Sequence, residues 1–312
     1  MRTHQHSIQI WGIPTHVHVS GGQGPTVLLL HGGICDSTAL SWRGVIPLLA
    51  GTCRVIAVDL PGFGRTPMPA DKKVNIEFYT GFVAELMDRM NIDRATIAGI
   101  SMGGMIALSL YFEHPDMVER LVLINSAGLD GDFPLRRLGY VLTRVPSFYE
   151  WMIRRLARDR SAVERMVGVM IHDKSRVTPG LIDRTYASVS RRNTVRAFAE
   201  FVQDQVQFDG LKTNYMSRLP KISVPVTVIA SERDRFYPLQ IMERAVKRLR
   251  YGTLRVIKNC GHWATVEHPD RIASLIIEAV SQGCYTGPHA GTKHHNGKYG
   301  KHSPLGAIGQ LA

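Results

Sequence analysis

Ser101 stands among three glycines in "AGISMGGMIAL" (98–108), directly after a short apolar run. A glycine inside a strand or helix costs roughly 0.5 to 1 kcal/mol relative to alanine, so three around one serine need a local reason. A strand that turns straight into a helix supplies one. In so tight a turn the serine takes strained dihedrals, and side chains at Gly99 and Gly103 would collide with the neighbouring strand and helix. Gly104 lets that helix approach the sheet. Gly99, Ile100, Ser101, Met102 and Gly103 thus form a G-x-S-x-G turn that presents one hydroxyl at a helix N-terminus, where negative charge is favoured.

A serine hydroxyl becomes a nucleophile only beside a base, and the base needs an orienting carboxylate. "ASERDRFYP" places Asp234, and "KNCGHWATVEHP" places His262, each in the loop that follows an apolar run. The order is then serine, acid, histidine. Glu232 and Asp130 are the alternative acids, and His268, at a helix start, is expected at the surface. A developing oxyanion needs two amides. Met102, next to the nucleophile, supplies one, and Gly33 in "HGG" supplies the other, with His31 hydrogen-bonded behind that loop.

These residues require a scaffold that brings loop ends together. "HSIQIWG" and "THVHVSG" flank Ile13 and Pro14 and read as a hairpin. Six nearly continuous apolar runs follow, at 26–31, 54–59, 95–100, 120–125, 225–230 and 253–258, the pattern of strands covered on both faces. Helical patterns lie between most of them, at 76–90, 102–114, 239–250 and 269–280. The alternation predicts an α/β fold, an eight-stranded mostly parallel sheet whose carboxyl edge carries the candidate residues. No convincing strand falls between Asn125 and Pro225, where amphipathic stretches predict an inserted helical lid. The expected divisions are a core over 1–127 and 219–280, the lid over 128–218, and a tail over 281–312.

Composition excludes several classes. The 312 residues are 44% hydrophobic and 21% charged, enough for one large domain, and no apolar run reaches the length of a membrane span or a signal peptide. A soluble, cytoplasmic protein is expected. Cys35, Cys53, Cys260 and Cys284 show no metal-ligand spacing and are expected as free thiols, with no metal or cofactor. The formal charge of +12 is scattered rather than clustered, so no nucleic acid partner is expected. Seven arginines at 135–160 against Glu150 and Asp159 leave membrane-surface contact through the lid open. The Gly- and His-rich tail, with His294 and His295, is expected to be flexible and idle.

"HGG", "DLPGFGRT", "GISMGG", "DRFYP" and "GHW" together resemble the α/β-hydrolase superfamily over residues 7–280. Within it, "SMGG", "DRFYPL" and "CGHWATVEHP" look like the meta-cleavage product hydrolases, which cut carbon-carbon bonds in aromatic degradation products. The resemblance implies Ser101, Asp234 and His262 as triad, Gly33 and Met102 as oxyanion donors, and Trp263 as a pocket wall. Two positions depart from that subfamily. Ile100 stands where it usually has Asn, and its lid arginine has a counterpart only near Arg184.

The leading expectation is a cofactor-independent serine hydrolase acting on an ester, thioester or lactone with a sizeable apolar part. Ile100, Trp263 and Arg184 are the candidate substrate contacts. Phe133, Tyr140, Phe148, Trp151, Met152, Met166 and Met170 are the apolar lid residues available to line a pocket. The alternatives are a carbon-carbon hydrolase, a lipid hydrolase at a membrane surface, and a non-catalytic binding homologue.

Overall fold

The structure, a computed structural model, describes residues 3–69, 71–130, 136–145, 150–151, 154–155 and 157–281. Phe133, Phe148, Met152, Cys284, His294, His295 and the rest of the tail lie outside the described residues.

The described residues form ten strands: β1 (Thr3–Ile10), β2 (Ile13–Ser20), β3 (Thr26–Leu30), β4 (Arg54–Val58), β5 (Ala95–Ile100), β6 (Val118–Ile124), β7 (Val206–Gln207), β8 (Gly210–Leu211), β9 (Val226–Ser231) and β10 (Gly252–Ile257). Eight of them form one sheet in the order β1-β2-β4-β3-β5-β6-β9-β10. β1 and β2 pair antiparallel, β2 joins β4 antiparallel, and every other neighbour is parallel. The hairpin turns at Trp11 and Gly12, both at positive φ, rather than around Ile13 and Pro14. Two successive residues in that region are what a two-residue hairpin turn demands.

The apolar runs are continuous because both faces of the sheet are covered. Leu28, Leu30, Ile56 and Val58 enter one core with Phe82, Val83 and Leu108, whereas Val27, Leu29, Val55 and Ala57 enter the other with Trp42, Trp263 and Ile276. Helices Ile76–Arg89 and Met102–Glu113 supply the first layer, and Pro269–Ser281 supplies part of the second. The first of these starts where the sequence stops being extended: Asn75 Oδ1 accepts the Phe78 amide at 2.8 Å and caps it.

The crossover from β6 to β9 carries helices Arg136–Thr143, Arg160–Met170, Pro179–Val189 and Arg192–Gln205. It also holds the antiparallel pair β7–β8, which the sequence pattern missed because two residues per strand show no period. Its arginines are partly engaged within the protein. Arg144 donates to the Val206 carbonyl at 3.0 Å, Arg154 pairs with Glu150, and Arg160 reaches Asp183 at 2.7 Å. Among the described residues no helix is long and apolar enough to cross a membrane.

Candidate active site

Ser101 sits between β5 and helix Met102–Glu113 with φ 53 and ψ −116, a conformation L residues rarely adopt. The surrounding bonds hold it there. Its amide donates to the Ile124 carbonyl at 3.0 Å, and its own carbonyl accepts from Ala127 at 3.0 Å. The glycines are required by distance. A Cβ at Gly99 would lie 2.3 Å from the Gly103 backbone, one at Gly103 2.3 Å from the Leu30 carbonyl oxygen, and one at Gly104 2.3 Å from Ser126 Oγ. The strand, the turn and the helix therefore meet at backbone contact.

Asp234 and His262 come together from the loops after β9 and β10. His262 Nδ1 and Asp234 Oδ2 are 2.8 Å apart, with both residues buried. The other Asp234 oxygen accepts the amides of Phe236 at 2.7 Å and Tyr237 at 3.1 Å, so the carboxylate cannot rotate away. Of the alternative acids, Glu232 is exposed and accepts from Asn259, while Asp130 pairs with Arg244. Neither is bonded to His262.

The loop that bears His262 is anchored by two residues the sequence did not single out. Asn125, at φ 42, donates through Nδ2 to the His262 carbonyl and to Ser231 Oγ, each at 2.8 Å. Glu267, fully buried, accepts the amides of Gly261 at 2.8 Å, His172 at 3.0 Å and Asp173 at 2.7 Å. It thereby ties the histidine loop to the β6–β9 crossover. A Cβ at Gly261 would lie 2.5 Å from the Met170 carbonyl oxygen in the same seam. His268 is half-buried rather than at the surface, because its ring closes this seam beside Glu267 and Cys260. Burial pushes the Cys260 thiol up to about 12, and Cys35, Cys53 and Cys260 are free and buried.

On the other side of Ser101 lies the loop after β3. His31 Nε2 accepts the Leu60 amide at 3.0 Å, and its Nδ1 donates to the Gly32 carbonyl at 2.7 Å, so both ring nitrogens are committed to backbone. The Gly32 amide donates to Asp36 Oδ2 at 2.7 Å, and Ser37 to Oδ1 at 2.7 Å. That leaves Gly33 as the loop's candidate oxyanion donor. Ser41 donates to Asp36 and accepts from Trp263 Nε1 at 2.7 Å, joining this loop to the residue after His262. Burial pushes the Asp36 carboxyl above the ordinary carboxylate value, against the pull of His31, Ser41 and the two amides.

A cavity of about 230 Å³ opens onto Ser101 and His262. Gly33, Met102, Ile100 and Trp263 all line it, together with Met170. Arg184 does not. It lies on the exposed face of helix Pro179–Val189, whose Leu181, Ile182 and Thr185 are turned inward. Tyr140, Trp151 and Met166 are likewise not among the lining residues, and Trp151 is exposed. The wall comes instead from helix Arg192–Gln205 through Phe198, Phe201, Val202 and Gln205, and from Phe236 and Tyr237 beside Asp234. Their spacing of i, i+3, i+4 and i+7 within "AFAEFVQDQ" was the available signal.

Residues 25–269 match the family model described as alpha/beta hydrolase fold. This chain belongs to the α/β-hydrolase family. As an α/β-hydrolase it is 33% identical over 275 residues to the 2-hydroxymuconate semialdehyde hydrolase of Pseudomonas sp. (strain CF600), across 87% of this chain and 92% of that one. It superposes with a TM-score of 0.75 on a serine hydrolase involved in carbazole degradation, the CarC enzyme, at 25% identity over 90% of this chain and 99% of the other. The carboxylesterase CesB of Bacillus subtilis shares the fold, with a TM-score of 0.74 at 22% identity over 91% of this chain and 93% of CesB. The α/β-hydrolase described here is a hydrolase, like the relatives it resembles.

Proposed function

We propose that this α/β-hydrolase cleaves a carboxylic ester, thioester or lactone with an apolar acyl or alcohol part, through Ser101, His262 and Asp234. The observation that carries the proposal is the cavity wall. Ser101 and His262 open onto a space lined by Ile100, Met102, Met105, Phe198, Phe201 and Trp263, and among its described lining residues there is no lysine or arginine. Such a wall suits a neutral apolar chain, whose burial contributes about 25 cal/mol per Å².

In the proposed reaction Ser101 Oγ attacks the carbonyl while His262 Nε2 takes its proton. Asp234 accepts the Nδ1 hydrogen and so keeps Nε2 free as the base. The Gly33 and Met102 amides receive the oxyanion, Met102 being the first helical residue, whose N–H lacks a partner inside the helix. His262 returns the proton to the leaving oxygen or sulfur. Water, activated by the same imidazole, then clears the acyl-enzyme. The helices of 136–205 act as a lid over the site.

A second reading is favoured by the relatives. The 33% identical 2-hydroxymuconate semialdehyde hydrolase and a solved structure, the meta-cleavage product hydrolase of Pseudomonas fluorescens IP01, support the carbon-carbon hydrolase that the motifs resemble. That chemistry has to manage a dienolate, ketonised before attack, as well as an oxyanion, and Ile100 offers the dienolate no hydrogen bond. The deciding experiment measures specificity constants across medium-chain aryl esters, thioesters, lactones and yellow ring-cleavage products. Esters are expected to exceed ring-cleavage products by tenfold or more, about 1.4 kcal/mol in barrier. A ring-cleavage product bleached with the larger constant overturns the ester reading.

A further inference from the structure

Gln205 is a polar residue in an apolar wall. It is 2% exposed, lines the cavity with Phe201, Val202, Val206 and Leu211, and ends helix Arg192–Gln205. Its Nε2 donates to Asp204 Oδ2 at 2.8 Å, whereas its Oε1 is buried with no hydrogen-bond partner among the described residues. A buried carbonyl left without a donor is destabilising, and native interiors keep few of them.

The amide cannot remedy this by flipping. Asp204 accepts from Lys212 Nζ at 2.9 Å through its other oxygen, and Lys212 also pairs with Glu77 at 3.2 Å. The carboxylate so held offers only acceptors, so the NH₂ end of Gln205 must face it and the carbonyl must take the other side. The Gln205 backbone carbonyl accepts the Lys212 amide at 2.7 Å, fixing the residue from its main chain as well. Ion pair, amide and helix end together select an acceptor for this end of the cavity.

The helix also sets a distance. Phe198 lies against the oxyanion loop, its ring 3.1 Å from where a Cβ on Gly33 would stand. Gln205 is seven residues, two helical turns, further on, about 10 Å along the axis. Phe201 and Val202 line the cavity between them.

We propose that Gln205 is a specificity-determining residue, and that the substrate carries a neutral hydrogen-bond donor, a hydroxyl or amide N–H, at the end of its chain remote from the cleaved carbonyl. An ammonium group would donate too, but desolvating it among Phe201, Val202 and Leu211 disfavours it. This deepens the ester reading given above and rests on it for the position of the cleaved bond.

The test compares p-nitrophenyl alkanoates of increasing chain length with their ω-hydroxy counterparts, in the wild type and in Gln205→Leu. The wild type is expected to favour the hydroxylated ester by about tenfold in kcat/KM at one chain length and not at short ones. Gln205→Leu is expected to lose that preference, the ratio of the two kcat/KM values falling to about one. Gln205→Met serves in its place if the leucine variant does not fold. Equal turnover of both series by the wild type at every length overturns the proposal, as does a preference that survives the substitution. If no ester of either series is cleaved, the ester reading fails by itself. Calorimetric binding of matched 1-alkanols and α,ω-diols then decides the role of Gln205. Tighter diol binding that is lost in Gln205→Leu upholds it, and equal binding overturns it.

Discussion

The side-chain amide of Asn125 holds the backbone carbonyl of His262 at 2.8 Å. The same amide donates to Ser231 Oγ and accepts the Ser231 N–H, each at 2.8 Å, so one residue at the end of β6 fixes the ends of both loops that bring Asp234 and His262 together. It does so at a φ of 42, in the left-handed region that asparagine tolerates better than most residues.

Asn125→Ala is therefore expected to act on geometry rather than on substrate affinity. It leaves the Ser231 amide and the His262 carbonyl buried and unpaired, at about 1 to 3 kcal/mol for each group. A displaced imidazole lowers kcat by about 10²-fold with KM little changed. Steady-state kinetics beside urea denaturation check both parts. A stable variant with unaltered kcat shows that the His262 loop is positioned by other contacts.

The sheet was legible in the sequence because strands covered on both faces must be apolar throughout. The runs at 26–31, 95–100 and 225–230 therefore coincide with β3, β5 and β9 to within a residue or so. The placement of Ser101, Asp234 and His262 was legible because a tight strand-to-helix turn needs glycines and because loop position after a strand is readable. Asn125 and Glu267 were not. Each acts by hydrogen bonds to backbone atoms far along the chain, Asn125 to His262 and Glu267 to His172, and no local pattern encodes which distant backbone group such a side chain will meet. Arg184 failed for a related reason. A family position transfers only if the helix carrying it keeps its rotation, and here the inward face of Pro179–Val189 is taken by Leu181, Ile182 and Thr185.

Asp59 gives the fold an acid-sensitive anchor beside the site. It is buried and accepts the amides of Thr38 and Arg65, each at 2.9 Å, with the His16 ring at 3.1 Å. Burial pushes its carboxyl up, but His16, His31 and the two amides outweigh that and hold it below the ordinary 3.8. Such a group contributes stability that is fully present above 3.8 and lost as pH falls through its lowered folded value. Asp59→Asn is expected to cost about 2 to 3 kcal/mol at neutral pH, with the gap to wild type narrowing below pH 3.8. Urea midpoints across an acid series measure the gap. A difference that stays constant with pH shows that Asp59 gains nothing from being ionised.

Asp234→Asn tests the acid assignment. The amides of Phe236 and Tyr237 would keep the carboxamide oxygen on their side, which turns its NH₂ toward His262 Nδ1. The imidazole must then carry its proton on Nε2, where it cannot accept one from Ser101. A fall in kcat on the order of 10⁴ is expected, as for the same change in serine proteases. Glu232→Gln, whose parent residue is exposed and bonded to Asn259, is expected to stay within twofold of wild type. The reverse pattern in a kinetic comparison of the two variants identifies Glu232 as the acid.

Ser101 carries a backbone conformation that two substitutions can isolate from its hydroxyl. At φ 53 and ψ −116 the Cβ of any L residue is disfavoured, by about 1 to 3 kcal/mol for such backbone positions. Ser101→Ala keeps the Cβ and so keeps the strain. Ser101→Gly removes it, although glycine adds unfolded-state freedom worth about 0.4 to 1 kcal/mol in the opposite sense. The glycine variant is therefore expected to be more stable than the alanine variant by about 1 kcal/mol, the reverse of their order in an ordinary helix or strand. Both are expected to lose turnover and labelling by a fluorophosphonate, which should modify the wild type at Ser101 alone. Chemical denaturation of the pair reads the strain directly. An alanine variant more stable than the glycine one shows the turn to be relaxed, and stable labelling at another serine with Ser101 unmodified removes it as the nucleophile.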